Sequence, residues 1–196
     1  MILYFDTETT GLVPGSICQL AYIMQDKENC TAKNLYFSVD HVEYGAFAVH
    51  GLSVPKLEKL SGGKCFADFA DEIERDFTAA DIVVSHNTAF DFMFMRAEFS
   101  RTGKDFYVQN SFCTMKKSTP VCKILKRSGA GYKYPSLTEL CGYFYLTERD
   151  VKGASEKLFS RCKGFHDARF DTAAVYLAAN KGFQSEPVYE ELKKYL

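Results

Sequence analysis

Tryptophan is absent from this chain, so its aromatic content falls entirely on 17 Phe and 12 Tyr. No apolar run reaches the about 18 residues of a membrane span, and no membrane partner is expected. No two of the seven cysteines, Cys18, Cys30, Cys65, Cys113, Cys122, Cys141 and Cys162, stand at the two-residue spacing of zinc or redox sites. Odd in number, they read as reduced, mostly core thiols of an intracellular protein, which makes the cytoplasm the expected compartment. The first strand begins at Met1 and leaves no room for a signal peptide. Charge of one sign is also missing. With 24 basic and 25 acidic residues the net charge is −1, which predicts neither a basic nucleic-acid protein nor an acidic tail. Any polyanion binding must then come from local patches. There is no internal repeat, no low-complexity segment and no linker that would split the chain. What remains is an ordinary globular composition, 46% hydrophobic and 25% charged over 196 residues, about one domain with a real core.

Hydrophobic periodicity outlines the elements. Residues 1–5 are an apolar run that reads as a first, central strand, followed by strands at 17–25 and 34–39 joined by a polar turn at 26–29. The opening third is thus expected to be three strands without a crossover helix. From Phe66 the spacing becomes helical, with Phe66, Phe69, Ala70, Ile73 and Phe77 on one face. Residues 81–85 read as a buried strand parallel to the first, 87 or 88 to 101 as a helix, and 111–115 as a short fifth strand. Ser136 and Glu139 have capping-box spacing at the start of another helix. An irregular connection is expected at 147–165, a long helix at 167–181, and a small C-terminal helix from Pro187. The fold class is α/β, a mixed five-stranded sheet with helices on both faces.

Asp6 and Glu8 stand where a buried strand would ordinarily carry apolar side chains. Side chains alternate along a strand, so both point to one face while Thr7 points to the other. At about 4 Å two like charges repel by on the order of 4 kcal/mol, and such a pair needs a proton or a cation. A hard divalent metal such as Mg²⁺ suits carboxylate oxygens. A simple cap on the strand end and the Thr10-Gly11 turn accounts for the same two residues. Asp91 sits one turn into its helix in line with Phe94 and Met95, so it faces inward; a carboxylate favoured by the helix dipole is the other reading. Asp171, Ala174, Val175 and Ala178 form the stripe that must pack on the sheet, and the small alanines let the helix carry Asp171 inward. His166, five residues earlier, falls on the preceding loop, either overhanging a site or simply exposed. Together three segments each deliver inward-facing acid, which is what a two-metal phosphoryl-transfer site requires. A histidine, with an ordinary pKa of about 6.5, can accept the proton of an attacking water there.

These residues resemble the DnaQ-like 3′→5′ exonucleases of the DEDDh type. Asp6 and Glu8 match the first motif, Asp91 with His86 and Asn87 the second, and His166 with Asp171 the third. Val49-His50-Gly51-Leu52, Cys113-Thr114 and Ser136-Leu137 with Leu140-Cys141 extend the likeness. It covers residues 1–182 as one exonuclease domain, with 183–196 as a short helical extension of that domain. The resemblance implies a ribonuclease H-like fold, two Mg²⁺ or Mn²⁺ ions per site, and stepwise release of nucleoside 5′-monophosphates from 3′ ends. By the same likeness Asp6, Glu8, Asp91 and Asp171 would be the metal ligands and His166 the general base. Thr7, Thr10, Gly11 and Leu12 would contact the terminal nucleotide, with His50, Leu52 and Asn87 also on the substrate side.

Independently of that likeness, residues 116–133 carry Lys116, Lys117, Lys123, Lys126, Arg127 and Lys133 and no acid. Such a stretch attracts phosphates, Lys123, Lys126 and Arg127 foremost, and Tyr132 and Tyr134 can stack on bases. Ser128-Gly129-Ala130-Gly131 within it reads as a mobile loop, and a solvated basic surface loop is the plainer account. The expected partner is a single-stranded or 3′-terminal DNA or RNA, the choice between them resting on how the pocket treats a 2′-hydroxyl. A second reading is a proofreading or binding module that acts mainly while docked on a DNA polymerase or another replication or repair protein. A non-catalytic domain with the same fold is disfavoured by the intact acids.

Overall fold

The computed structural model describes residues 1–160, 162 and 164–196. Five strands, β1 (Ile2–Thr9), β2 (Ile17–Asp26), β3 (Asn29–Tyr36), β4 (Ile82–Ser85) and β5 (Ser111–Cys113), form one sheet in the order β3-β2-β1-β4-β5. β1, β2 and β3 pair antiparallel, whereas β4 and β5 run parallel to β1, so the sheet is mixed as expected.

β1 is central and buried on both faces because its residues supply an apolar side chain to each. Leu3 and Phe5 point into a cluster with Ile73, Phe77, Phe92, Met95 and Phe99, contributed by α3 (Ala70–Ala79) and α4 (Thr88–Arg101). Ile2 and Tyr4 point the other way, onto Leu140 of α7 (Leu137–Tyr143), Val175 and Ala178 of α9 (Ala168–Ser185), and Tyr189 of α10 (Pro187–Lys193). The capping box at Ser136 forms as its spacing predicts, the Ser136 hydroxyl accepting from the Glu139 N–H and the Glu139 carboxylate from the Ser136 N–H. α9 lies close on the sheet through alanines, and the Thr172 hydroxyl donates to the Ala21 carbonyl of β2 at 3.1 Å.

Four expectations need correcting. The third strand runs from 29 to 36 instead of 34 to 39. The two ends of the expected turn, Asp26 and Asn29, are themselves paired, and only Lys27 and Glu28 turn the chain. β3 is an edge strand with mostly polar, half-buried side chains, so hydrophobicity does not mark where it starts. The opening region also holds two helices, α1 (Tyr44–His50) and α2 (Val54–Ser61), each burying a single residue, His50 and Leu57 respectively, and therefore lacking an apolar stripe. Within the connection expected to be irregular, α8 (Glu148–Phe159) is a three-turn helix opened by a Thr147/Asp150 capping box; residues 161 and 163 of that connection lie outside the described residues. The stretch expected as a mobile loop is a closed hairpin. It follows the short helices α5 (Thr114–Lys117) and α6 (Thr119–Cys122) and is held by Lys126 N–H to Gly131 O at 3.0 Å and Lys133 N–H to Ile124 O at 2.8 Å. Among the described residues no helix is long and apolar enough to cross a membrane.

Candidate active site

The face that β1 turns toward α9 begins with Ile2 and Tyr4 and continues, beyond the apolar core, with Asp6 and Glu8. α9 begins beside it, and its first turn brings Asp171. Asp6, Glu8 and Asp171 each have a carboxylate oxygen within 4.8 Å of the other two. On the opposite face Thr7 meets α4, and its hydroxyl donates to Asp91 Oδ1 at 2.8 Å. The other Asp91 oxygen, Oδ2, is buried with no hydrogen-bond partner in a residue only 3% exposed. The register with β2 shifts between Glu8 and Thr9, where β2 carries the extra residue Cys18, an irregularity common next to sites.

The electrostatics follow from this crowding. Burial, then the charges of Asp171, Asp91, Glu8 and Asp167, raise Asp6 well above the usual carboxylate range. Burial, then Asp171, Asp167 and Asp91, push Glu8 up to about 9. Asp91 is raised to about 7 by burial, against the opposing hydrogen bond from Thr7. Asp171 is likewise raised to about 7 by burial, although the His166 N–H donates to its Oδ2 at 2.9 Å. All four acids are raised above the usual carboxylate range, the mark of crowded negative charge that a divalent cation would relieve. The unpartnered Asp91 oxygen and the three converging carboxylates fit an oxygen-liganded metal, whereas the neighbouring Asp167 does not join them. Its carboxylate is clamped by the Arg169 guanidinium through bonds of 2.7 and 2.9 Å and also accepts from the Arg169 backbone N–H at 3.2 Å and from Gln19 at 3.1 Å.

Around the acids, Thr7, Glu8, Gly11, Leu12, Glu43, Val49, His50 and Phe90 line a cavity of about 360 Å³. Leu12 stands 80% exposed at its mouth. His50 is buried, with both ring nitrogens engaged: Nδ1 accepts the Leu52 N–H at 3.0 Å, and Nε2 bonds the Thr9 carbonyl at 3.2 Å. It clips the end of α1 to the end of β1. Thr10 faces into its own loop, where its hydroxyl accepts the Ser16 N–H at 3.0 Å. Leu52 packs with Cys18 and Leu57 and borders a second, smaller cavity shared by His50 and His166.

His166 has a left-handed backbone (φ 64°) on the bend before α9; its exposed side chain borders the second, smaller cavity while its backbone reaches Asp171. Asn87 opens α4 in the same left-handed region, φ 77°, which asparagine tolerates better than most residues. His86 is pinned between the Thr114 hydroxyl at 2.9 Å and the Pro135 carbonyl at 3.1 Å, and burial lowers it to about 4, so it is neutral. Lys123, Lys126 and Arg127 lie on the hairpin and bond none of the acids. Sequence reasoning missed Glu43, which reaches the cavity from the start of the unforeseen α1, and named Val49 only as part of the likeness, not as a cavity wall. It also missed the Thr7–Asp91 bond and the Gln19–Asp167–Arg169 clamp. Only the Phe90-Asp91 adjacency offered a local signal.

The profile of the RNase_T family, described as Exonuclease, matches residues 3–151. The chain belongs to this exonuclease family. The matched span takes in Asp6, Glu8 and Asp91 and stops before His166 and Asp171. The exonuclease chain is 31% identical to the DNA polymerase III subunit epsilon of Escherichia coli over 164 residues, 78% of this chain and 64% of that protein. It thus spans just under two thirds of that relative's length. Among solved structures it resembles the zinc-bound E. coli ExoI–ssDNA complex, with a TM-score of 0.67, 20% identity, and coverage of 98% of this chain and 42% of that one. It also resembles S. pombe Pop2p in its Mg²⁺- and Mn²⁺-bound form, with a TM-score of 0.64, 12% identity, and coverage of 96% and 84%. At these identities the likeness is one of fold, the ribonuclease H-like fold that the motifs implied.

Proposed function

We propose that this exonuclease-family protein is a divalent-metal-dependent 3′→5′ exonuclease that removes nucleoside 5′-monophosphates from the 3′ ends of single-stranded nucleic acid, DNA foremost. The observation that carries the reading is the convergence of Asp6, Glu8 and Asp171 beside the unpartnered Asp91 oxygen. Asp6, Glu8 and Asp171 would hold one Mg²⁺ or Mn²⁺, and Asp6 with Asp91 a second. When bound, such ions supply the activation of a water and the neutralisation of charge on the leaving oxygen. The remaining work belongs to the chain. The exposed ring of His166 takes the proton of the attacking water at a ring nitrogen. The water oxygen bonds to phosphorus as the bond to the 3′ oxygen breaks; that oxygen takes a proton from solvent, leaving a strand shortened by one with a 3′-hydroxyl, and the terminal nucleotide departs as a nucleoside 5′-monophosphate. The apolar cavity beside Glu8 receives the terminal base against Leu12, and Thr7 fixes the Asp91 carboxylate by its hydrogen bond. Asn87 orients the opening of α4, and the His50 clip with Leu52 keeps the cavity wall upright. The seven cysteines are free thiols, which suits action in the cytoplasm.

The test is a 5′-labelled oligonucleotide incubated with Mg²⁺ or Mn²⁺. A ladder shortening from the 3′ end is expected, and none should appear with EDTA or with Asp6→Ala. No ladder with either metal would defeat the reading, and matched deoxy and ribo substrates report the sugar preference. The 31% identity to a polymerase subunit favours a second reading, a proofreading module acting on a polymerase. Weak activity alone that rises when a stoichiometric polymerase is added would select it.

A further inference from the structure

The hairpin after α6 is the largest feature that the proposed chemistry leaves unused. Leu125 and Tyr132 are bridged partners on its two arms. Cross-strand partners share a face, and Tyr134, two residues beyond Tyr132, falls on that face as well. All three are exposed, at 62%, 42% and 58%. Of the six basic residues in 116–133, Lys116 and Lys117 lie on α5 and Lys123, Lys126, Arg127 and Lys133 belong to the hairpin. Lys133 is paired with Glu139 at 2.6 Å and Lys117 with Glu191 at 2.6 Å, which removes both from play. Lys123 at the root and Lys126 and Arg127 at the tip are exposed and have no acidic partner among the described residues. Three unneutralised cations beside an apolar and aromatic face form a surface that a folded acidic protein would match poorly and that stacked bases on a phosphate backbone match well.

The placement of the root gives the surface its meaning. Tyr134 is followed by Pro135, whose carbonyl accepts from the His86 ring at 3.1 Å. The same ring is braced by Thr114, and His86 immediately precedes Asn87 and the helix that carries Asp91. The ring is half-buried and its pKa is lowered to about 4 by desolvation, so this tie does not loosen with pH across the physiological range. At the tip the glycines Gly129 and Gly131 adopt φ of 74° and 76°, closing a turn that other residues would strain, so the tip is a built structure. The arm therefore leaves the body of the protein from the same sheet end as the acids.

We propose that this hairpin is a strand-tracking arm. It binds single-stranded nucleic acid upstream of the 3′ terminus, with phosphates on Lys123, Lys126 and Arg127 and bases stacked on Tyr132 and Tyr134. The inference rests on the exonuclease reading for its purpose but not for its measurement. Affinity then depends on strand length, and the terminal nucleotide alone engages only the acid site and its cavity.

The experiment uses the full chain in the cleavage-dead Asp6→Asn background with EDTA, and a 5′-fluorescein 12-nucleotide single-stranded DNA read by anisotropy across a NaCl series. Lys123→Ala/Lys126→Ala/Arg127→Ala is expected to weaken binding tenfold or more at low salt. It should also lower the slope of log affinity against log salt by about 2, since each phosphate contact to a single strand contributes about 0.7. Tyr132→Ala should weaken binding at least fivefold, with Tyr132→Phe restoring it. In the active protein the loss of kcat/KM in the triple variant should grow from a dinucleotide to the 12-mer. Unchanged affinity and salt slope in the triple variant would overturn the proposal. So would equal losses for dinucleotide and 12-mer. Weakened binding in a protein whose wild type cleaves nothing would keep the arm and discard the exonuclease reading, so the two fail separately. Unchanged thermal melting of the triple variant verifies that the hairpin, and not the fold, was altered.

Discussion

Replacing Glu8 with glutamine in metal-free protein is expected to stabilise the fold, and to do so increasingly as pH rises. Burial, then Asp171, Asp167 and Asp91, move the Glu8 carboxyl from 4.5 to about 9. An acid whose folded-state pKa is raised keeps its proton in the fold after the unfolded chain has lost it. Its contribution is therefore neutral below the unfolded value, turns steadily destabilising above it, and levels off only past the folded value. At about 1.4 kcal/mol per unit, the penalty grows by about 3 kcal/mol between pH 5.5 and pH 8, or roughly 6–12 °C for a chain of this length. Glutamine carries no charge and removes that growing share. Calorimetry of wild type and Glu8→Gln in EDTA at the two pH values should show the variant gaining on the wild type at pH 8. Mn²⁺ should then raise the wild type selectively, by about 2.7 kcal/mol at a hundredfold excess over its dissociation constant, because the cation takes the place of the proton. A variant that melts at or below the wild type at pH 8 refutes the electrostatic account of the cluster.

Other perturbations follow from particular contacts. His166→Ala should lower turnover by about 10²–10⁴ with little change in oligonucleotide KM, measured by steady-state cleavage; an unaltered kcat would remove His166 from the chemistry. Gly182→Ala places a methyl 2.5 Å from the Tyr189 ring, where α10 packs on α9, and should cost about 1–3 kcal/mol in urea unfolding. Arg101→Ala removes the 2.7 Å bond to the Gly15 carbonyl and the partner of buried Glu98, whose other oxygen accepts the Ile17 N–H at 2.8 Å. It should destabilise by about 1–3 kcal/mol and raise KM as the Leu12 loop loosens, with Arg101→Lys recovering part of both.

Much of the site was legible because its acids break the apolar pattern of the elements that carry them. Asp6 and Glu8 interrupt a face that reads Ile2, Tyr4 in a buried strand, and Asp171 heads a stripe of alanines; both patterns are written in local periodicity. The central strand, β4, α4 and the capping box of α7 were legible for the same reason. Elements that bury little left no such mark. α1 and α2 each bury one side chain, so neither helix was legible, and Glu43 at the start of α1 was missed although the Val49-His50-Gly51-Leu52 segment was named by likeness. α8 fully buries only Val151 and Ser155, and its signals, the capping spacing of Thr147 and Asp150 and the stripe of Val151, Ala154, Leu158 and Phe159, went unread. Thr7 illustrates a different limit: alternation correctly turned it away from Asp6 and Glu8, but only the packing of α4 reveals that its hydroxyl there meets Asp91.

The two-sided burial of β1 has a consequence for how this protein can change. Because successive side chains serve different walls, inserting or deleting one residue upstream of Asp6 within the strand would drive both carboxylates into the phenylalanine layer and bring Thr7 round to α9. Lineages descended from such a chain can lengthen its loops freely, but along this strand they can drift only in steps of two.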